Sequence, residues 1–335
     1  MFLYVTCDRI GSKTGGGAVT SNELTALKSL GHVDIINPEP SQNPFLPDQL
    51  LPNEDYSKYK LAHFYSGTFP RLTEKLKAQG VKITYTAAAH DIKLSREEFE
   101  KNNIPYDFPH LTNPEILQKY LVSYRNADLV ICPSKHSKNI MHEFGCNRVS
   151  IIPHGCKNGY VLPAPKKFAV GYLGQIGPDK GVRYLIEAWA KLNYKDSVLY
   201  LAGIQSPELI HLIRQYDVGN YIILGFVKNI EHFFQSINVY IQPSVTEGFG
   251  IEVLEAMSYG RPVIASDGVG AIDCLNNDCK IVPKRNFKAI AQAIEDYKST
   301  TFNNAQELHD WSNNYSWERV RNLYTDTWKE LLSEL

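Results

Sequence analysis

The sequence predicts an α/β protein built from two doubly wound, Rossmann-like domains that face each other across a cleft. Short β-rich apolar runs alternate with longer helical stretches along the whole chain, which is the pattern of parallel sheets covered by helices on both faces. A stretch broken by Pro163 and Pro165 divides that alternation into two halves, as a semi-rigid linker does. The 335 residues also exceed what one hydrophobic core usually serves, so two domains of roughly 150 residues each are expected.

In chain order, strands are expected at residues 2–7, 33–36, 62–65, 83–86, 129–132 and 149–152, then at 169–173, 198–202, 221–224, 239–242, 263–265 and 280–282. The first domain is taken as residues 1–160, the linker as 161–168, the second domain as 169–308 and a closing helical segment as 309–335. In that segment Trp311, Trp317, Val320, Leu323, Tyr324, Trp328 and Leu331 fall mainly at helical spacings, so one apolar stripe should pack on a domain.

With 43% hydrophobic and 21% charged residues, the composition is that of an ordinary folded protein. A formal net charge of −1 gives no reason to expect nucleic acid held by phosphate neutralisation. The start of the chain is apolar too briefly, before Asp8 and Arg9, to be a signal segment, and it reads as a buried strand. No apolar run approaches the roughly 18 residues of a membrane span, so any membrane contact should be peripheral. Cys7, Cys132, Cys146, Cys156, Cys274 and Cys279 lack zinc-site spacing or disulfide density. They are expected to be mostly buried thiols of a reducing, cytoplasmic compartment.

The most informative stretch runs from Gln242 to Met257. A buried strand should end at Pro243, a glycine-containing loop should turn the chain, and a helix should start near Gly250, with Val253, Leu254 and Met257 facing the core. Free amides at such a helix start favour an anionic phosphate beyond the strand ends, and Gly248 and Gly250 allow close backbone approach. Glu247 and Glu255 flank the turn, where each carboxylate could accept hydrogen bonds from vicinal hydroxyls of a ribose or hexose, or be a solvated surface group. Earlier in the chain, Gly15, Gly16 and Gly17 follow the first strand and precede a helix expected near Ala18. They form a flexible turn or a phosphate loop. His90 comes after the strand at 83–86 and its alanines, at a strand end facing the cleft.

Pro243-Ser244, Glu247-Gly248-Phe249-Gly250, Glu255-Ala256-Met257 and the run from Gly260 to Ser266 followed by Gly270 resemble the signature of retaining glycosyltransferases of family 4, which have the GT-B fold. The stretch Gly174 to Gly181 resembles that family's donor-diphosphate loop, and Ile152-Pro153-His154-Gly155 its approach to the hinge. The resemblance implies that Glu247 meets the donor sugar, Glu255 the ribose and Lys180 the diphosphate. Gly248, Phe249, Gly250 and Ile251 would line the donor site, and Gly16 and Gly17 would meet the diphosphate from the opposite side. It also places His90 near the transferred sugar. The family usually has an arginine where this chain has Gln175, so one phosphate-binding cation is missing.

The same resemblance implies a cytoplasmic enzyme that transfers a sugar from a UDP- or GDP-linked donor to a glycan, lipid-linked or other hydroxyl acceptor. Retention would come from same-face attack, with the leaving phosphate taking the acceptor proton and Glu247 orienting the sugar without becoming glycosylated. No Asp-x-Asp triplet occurs, so neither an obligatory metal nor a cofactor is expected. Base selection is expected near Phe226, Val227 and Lys228 and near Ile204 and Gln205, and acceptor selection near residues 66–70 and after His90. Donor binding should draw the two domains together about the linker, with the last helix packing back on the first domain as the family's does. An inverting GT-B transferase, a sugar-nucleotide epimerase and a catalytically weak sugar-nucleotide-binding protein remain alternatives. A dinucleotide-dependent oxidoreductase is disfavoured, because no Gly-x-Gly-x-x-Gly with an acidic partner comes after a strand.

Overall fold

The computed structural model describes residues 1–334 apart from 13, 42, 107, 109–111 and 204–206, with residues 208 and 209 described in backbone only. It divides into two compact units. The first comprises Met1–Ala89, Asp107–Gly155 and Trp317–Leu335, and the second His90–Tyr106 and Cys156–Ser316.

In the first unit the elements are β1 (Phe2–Thr6), α1 (Gly15–Lys28), β2 (Val33–Ile36), α2 (Leu46–Gln49), β3 (Leu61–Tyr65), α3 (Pro70–Ala78) and β4 (Lys82–Thr86), then α5 (Pro114–Asn126), β5 (Leu129–Cys132), α6 (Lys135–Glu143), β6 (Val149–Ile151) and α13 (Trp317–Leu332). The second contains α4 (Ile92–Lys101), β7 (Ala169–Leu173), a 3-10 turn (Pro178–Lys180), α7 (Val182–Leu192), β8 (Val198–Ala202), α8 (Pro207–Tyr216), β9 (Tyr221–Gly225), α9 (Ile230–Gln235) and β10 (Val239–Gln242). It continues with α10 (Ile251–Ser258), β11 (Val263–Ser266), β12 (Lys280–Val282), α11 (Phe287–Ser299) and α12 (Ala305–Ser312). All twelve expected strands are present, so the doubly wound α/β reading holds.

Each unit holds one six-stranded sheet, ordered β2-β1-β3-β4-β5-β6 in the first and β12-β11-β10-β7-β8-β9 in the second. The neighbouring strands pair in parallel. Strands buried on both faces need apolar side chains at every position, and β1 shows the two-residue alternation that results. Phe2 and Tyr4 pack with Leu24 and Leu27 of α1 and with Val320, Tyr324, Trp328 and Leu331 of α13. Leu3 and Val5 point the other way, into the cluster of Phe64, Leu72, Leu76, Tyr85 and Leu121.

α13 therefore carries an apolar stripe, but a shorter one than the spacing predicts. Asn313–Tyr315 forms a 3-10 turn between α12 and α13, which breaks the helical phase. Trp311 falls on α12 in the other unit, and Leu323 is left 47% exposed.

Two further expectations differ from the structure. Residues 161–168, taken as a semi-rigid linker, cluster with the second unit: Leu162 is buried and its N–H bonds the Tyr259 carbonyl, while Arg261 donates to the Pro163 carbonyl. Residues 90–106, taken as part of the first domain, cluster with the second unit. There the Asp91 N–H donates to Thr246 Oγ1 at 2.7 Å, Ser95 to Asp179 at 3.3 Å, Tyr184 to Glu98 at 3.0 Å and Arg285 to Glu98 at 2.6 Å. A buried carboxylate such as Glu98 demands this kind of pairing, and its partners decide where α4 goes. Among the described residues no helix is long and apolar enough to cross a membrane. None of the six cysteines is paired, and four of them are buried.

Candidate functional site

In an open parallel sheet, ligands bind where the strand order reverses, outside the carboxyl ends of the strands. In the second unit that point lies between β7 and β10, and the loops after those two strands are the stretches 174–181 and 243–250. The two loops are built against each other. Gly181 has φ +66°, and a β-carbon on it would collide with the Pro243 carbonyl oxygen, so both the turn and the close approach require glycine. The Val245 N–H donates to the Asp179 carbonyl at 2.8 Å.

From Ser244 to Gly250 the loop is buried except at Glu247, which is half-buried. Its backbone is fixed on both sides, with its N–H on Gly268 at 2.9 Å and its carbonyl receiving Gly270 at 3.0 Å. The Glu247 side chain lies 2.5 Å from Lys180 Nζ. Burial pulls the Lys180 ammonium down, but the charges of Glu247 and Asp179 outweigh it and hold its pKa above the usual lysine value. Burial pushes the His90 imidazole below its ordinary pKa, against the pull of Asp179, with Lys180 and Glu247 among the charges it feels. The structure thus brings His90, Lys180 and Glu247 together in the second unit.

The residue that precedes α10 is Gly250, which offers no capping side chain. The Val253 N–H bonds the Gly250 carbonyl at 3.2 Å and the Glu252 N–H its own carboxylate, while the positive end of the helix dipole still favours an anion there. Two carboxylates of this helix, Glu252 and Glu255, are half-buried and one turn apart. Burial, with the charge of Glu247 adding to it, pushes Glu252 up to about 7. Burial, with the charge of Glu252 adding to it and Lys157 opposing, pushes Glu255 up to about 8. Sequence reasoning missed Glu252, because a glutamate in a helix's first turn is ordinary dipole chemistry. The available signal was its three-residue spacing from Glu255, which puts both on one helix face.

The other expected residues lie in several places. Ile251 opens α10 and Phe249 is buried beneath it, with Val227 packed on the same cluster. Gln175 is exposed, and its backbone carbonyl accepts Tyr172 Oη at 2.6 Å. Ile204 and Gln205 lie outside the described residues. Gly16 and Gly17 belong to the first unit and stand inside α1, which begins at Gly15 rather than near Ala18. Thr14 caps it by accepting the Gly17 N–H at 3.1 Å, and a β-carbon on Gly17 would collide with Ser12. The Gly17 amide is therefore already engaged. The carboxylate of Asp8 lies beside Gly16, and burial raises its pKa, against a hydrogen bond from Ser66. Elsewhere in the first unit an open, mainly apolar cavity of about 760 Å³ is lined by residues including Phe45, Asp48, Pro70, Arg71 and Ile116. Among the described residues no group of three His, Cys, Asp or Glu side chains is placed to hold a metal ion.

Residues 167–299 match the family described as Glycosyl transferases group 1. The capsular polysaccharide biosynthesis glycosyltransferase CapM of Staphylococcus aureus is 31% identical over 179 residues, 49% of this chain and 47% of that protein. The alignments span between 41% and 63% of the length of this and two further curated relatives. Among solved structures, sucrose-phosphate synthase from Thermosynechococcus elongatus superposes with a TM-score of 0.74 at 18% identity, covering 100% of both chains. HepE of Anabaena in complex with UDP gives 0.70 at 19% identity, again covering 100% of both. The chain has the GT-B fold, and the match to the glycosyl transferases group 1 family lies within its second unit.

Proposed function

We propose that the protein is a glycosyltransferase that moves a sugar from a nucleoside-diphosphate donor to a hydroxyl acceptor with retention and without a metal ion. The observation that carries this reading is the convergence of Lys180, Glu247, His90 and the uncapped start of α10 at the switch point of the second sheet. CapM, described as a polysaccharide-building transferase, and HepE, solved with UDP, supply the substrate class by analogy.

The donor reacts when the bond from its anomeric carbon to the diphosphate oxygen breaks and negative charge gathers on the leaving group. Lys180, once it leaves Glu247, and the first-turn amides of α10 can meet that charge. When the diphosphate takes Lys180, Glu247 is released from its 2.5 Å pair and can accept hydrogen bonds from sugar hydroxyls. His90, neutral at pH 7 because of its depressed pKa, offers one donor and one acceptor to the same sugar. The acceptor oxygen bonds the anomeric carbon from the face the diphosphate leaves, and its proton passes to the departing phosphate oxygen, so neither an enzyme nucleophile nor a separate base is needed. Glu255 takes the ribose.

The test is proton NMR of an α-linked donor, UDP-glucose or GDP-mannose, incubated with the protein and EDTA. An α-configured product, glycoside or free sugar caught before mutarotation, is expected. A β-product, or turnover restored only by magnesium or manganese, contradicts this reading, and tight binding without any turnover makes the protein a binder.

A further inference from the structure

Glu252 stands where the proposed site needs an anion acceptor, and nothing in the reaction above uses it. It is the second residue of α10, and its carboxylate accepts the hydrogen bond of its own backbone N–H. An internal carboxylate thus engages one amide at the helix start that the diphosphate would occupy.

The groups facing it leave it poorly compensated. From the preceding loop comes Glu247, and from the 3-10 turn comes Lys180, whose ammonium is already paired with Glu247 at 2.5 Å and also feels Asp179. From β7 and β10 come the phenols of Tyr172 and Tyr240, but Tyr172 donates to the Gln175 carbonyl at 2.6 Å and Tyr240 to that of Leu173 at 3.0 Å. Along α10 comes a further carboxylate, Glu255. His90, at the edge of the same group of charges, is neutral at pH 7. Gln175 adds no charge. Lys180 is the cation that acts on Glu252, beside the carboxylates Glu247 and Glu255, and Lys157 acts on Glu255.

We propose that Glu252 makes donor binding proton-linked: the start of α10 accepts a diphosphate when Glu252 is protonated and resists it when Glu252 is ionised. A neutral carboxyl can swing off its own N–H, freeing the amide, and can donate its proton to a phosphate oxygen. An ionised one competes for the amide and repels the ligand. The free carboxyl titrates near 7, and a neighbouring phosphate raises it further, so binding takes up a proton. Affinity is then level below about pH 7 and falls by about tenfold per pH unit above it, until the bound-state pKa is reached. The inference rests on the proposed donor site and states how that site is regulated.

The experiment is titration calorimetry of UDP-glucose and GDP-mannose, whose phosphates do not ionise near neutrality, from pH 6 to 9 in buffers of different ionisation enthalpy. Expected at pH 8 is that the wild type takes up close to one proton more per donor bound than Glu252→Gln, which binds about tenfold tighter than wild type. Because Glu252 itself raises Glu255, the same pair of titrations in a Glu255→Gln background removes any proton exchanged there. Glu252→Thr serves if the glutamine variant is poorly folded, and the wild-type proton uptake needs no variant at all. Equal uptake and parallel pH profiles in wild type and variant overturn the inference and leave the donor site standing. Absence of binding by wild type and variant at pH 6 overturns the donor site itself.

Discussion

In the first unit Glu23 of α1 is completely buried, in the second Glu252 and Glu255 of α10 are half-buried, and their protonation is pushed in opposite directions. Burial alone would raise Glu23. The adjacent His63, 3.3 Å away, and the Tyr4 hydroxyl at 2.8 Å overcome it and hold the pKa below the usual glutamate value. His63 is itself anchored by Thr84 at 2.8 Å, and Thr84 also receives the indole N–H of Trp328 from α13 at 3.2 Å. Glu23 is thereby part of what fastens the last helix to the sheet. Around Glu252 and Glu255 the nearby side chains are mostly acidic or engaged elsewhere, and both carboxyls titrate near neutrality. A buried acid with partners holds a fold together, whereas one left without them marks a place where something else must supply the partners.

The largest expected effect is on the structural side. Glu23→Ala removes one member of a buried ionic pair and should cost about 3–5 kcal/mol of unfolding free energy, seen as a lower denaturation midpoint. The sign of the pH dependence also separates the two acids. Glu23, with its pKa depressed, contributes stability above pH ~4.5 that disappears as pH falls through its folded-state value. Glu252 and Glu255, with raised pKa values, favour the folded state when protonated, and that contribution is lost as pH rises from about 4.5 to about 7 and 8.

Glu252→Gln and Glu255→Gln should therefore stabilise the ligand-free protein at pH 8 by about 0.5–1 kcal/mol, discounted because both side chains are partly solvated. At pH 5 they should change it little. Equal effects at the two pH values would place these acids with ordinary surface glutamates. Smallest of all, Gln175→Arg restores the cation that the resemblance leads one to expect, at an exposed position, and should tighten donor binding by about 0.5–1 kcal/mol. Weaker binding would show that the Gln175 loop does not face the diphosphate.

The strands were legible because parallel strands buried on both faces read as unbroken apolar runs. What the sequence concealed was set by tertiary contacts or by small shifts of cap. The triple glycine looks like a breaker, but Thr14 caps the helix ahead of it and packing against Ser12 requires the small residue at Gly17. The allegiance of α4 depends on Asp91, Ser95 and Glu98 finding Thr246, Asp179 and Arg285, pairs 84 to 187 residues apart. At the candidate site, Lys180 and Glu247 could be named from the motif string, but their pairing with each other could not, since two residues 67 apart meet only when Gly181 lets one loop onto the other.

The account stands most directly on Glu255. The measurement is the dissociation constant, by calorimetry at pH 6.5, of whichever of UDP-glucose and GDP-mannose binds the wild type, compared with Glu255→Ala and with Glu23→Ala in its folded state. At pH 6.5 the Glu255 carboxyl is neutral, and loss of a hydrogen bond to it costs about 0.5–1.5 kcal/mol, or roughly two- to 13-fold in affinity. The account predicts that loss in Glu255→Ala with the melting temperature preserved, and no change in Glu23→Ala. Wild-type affinity in Glu255→Ala would contradict it.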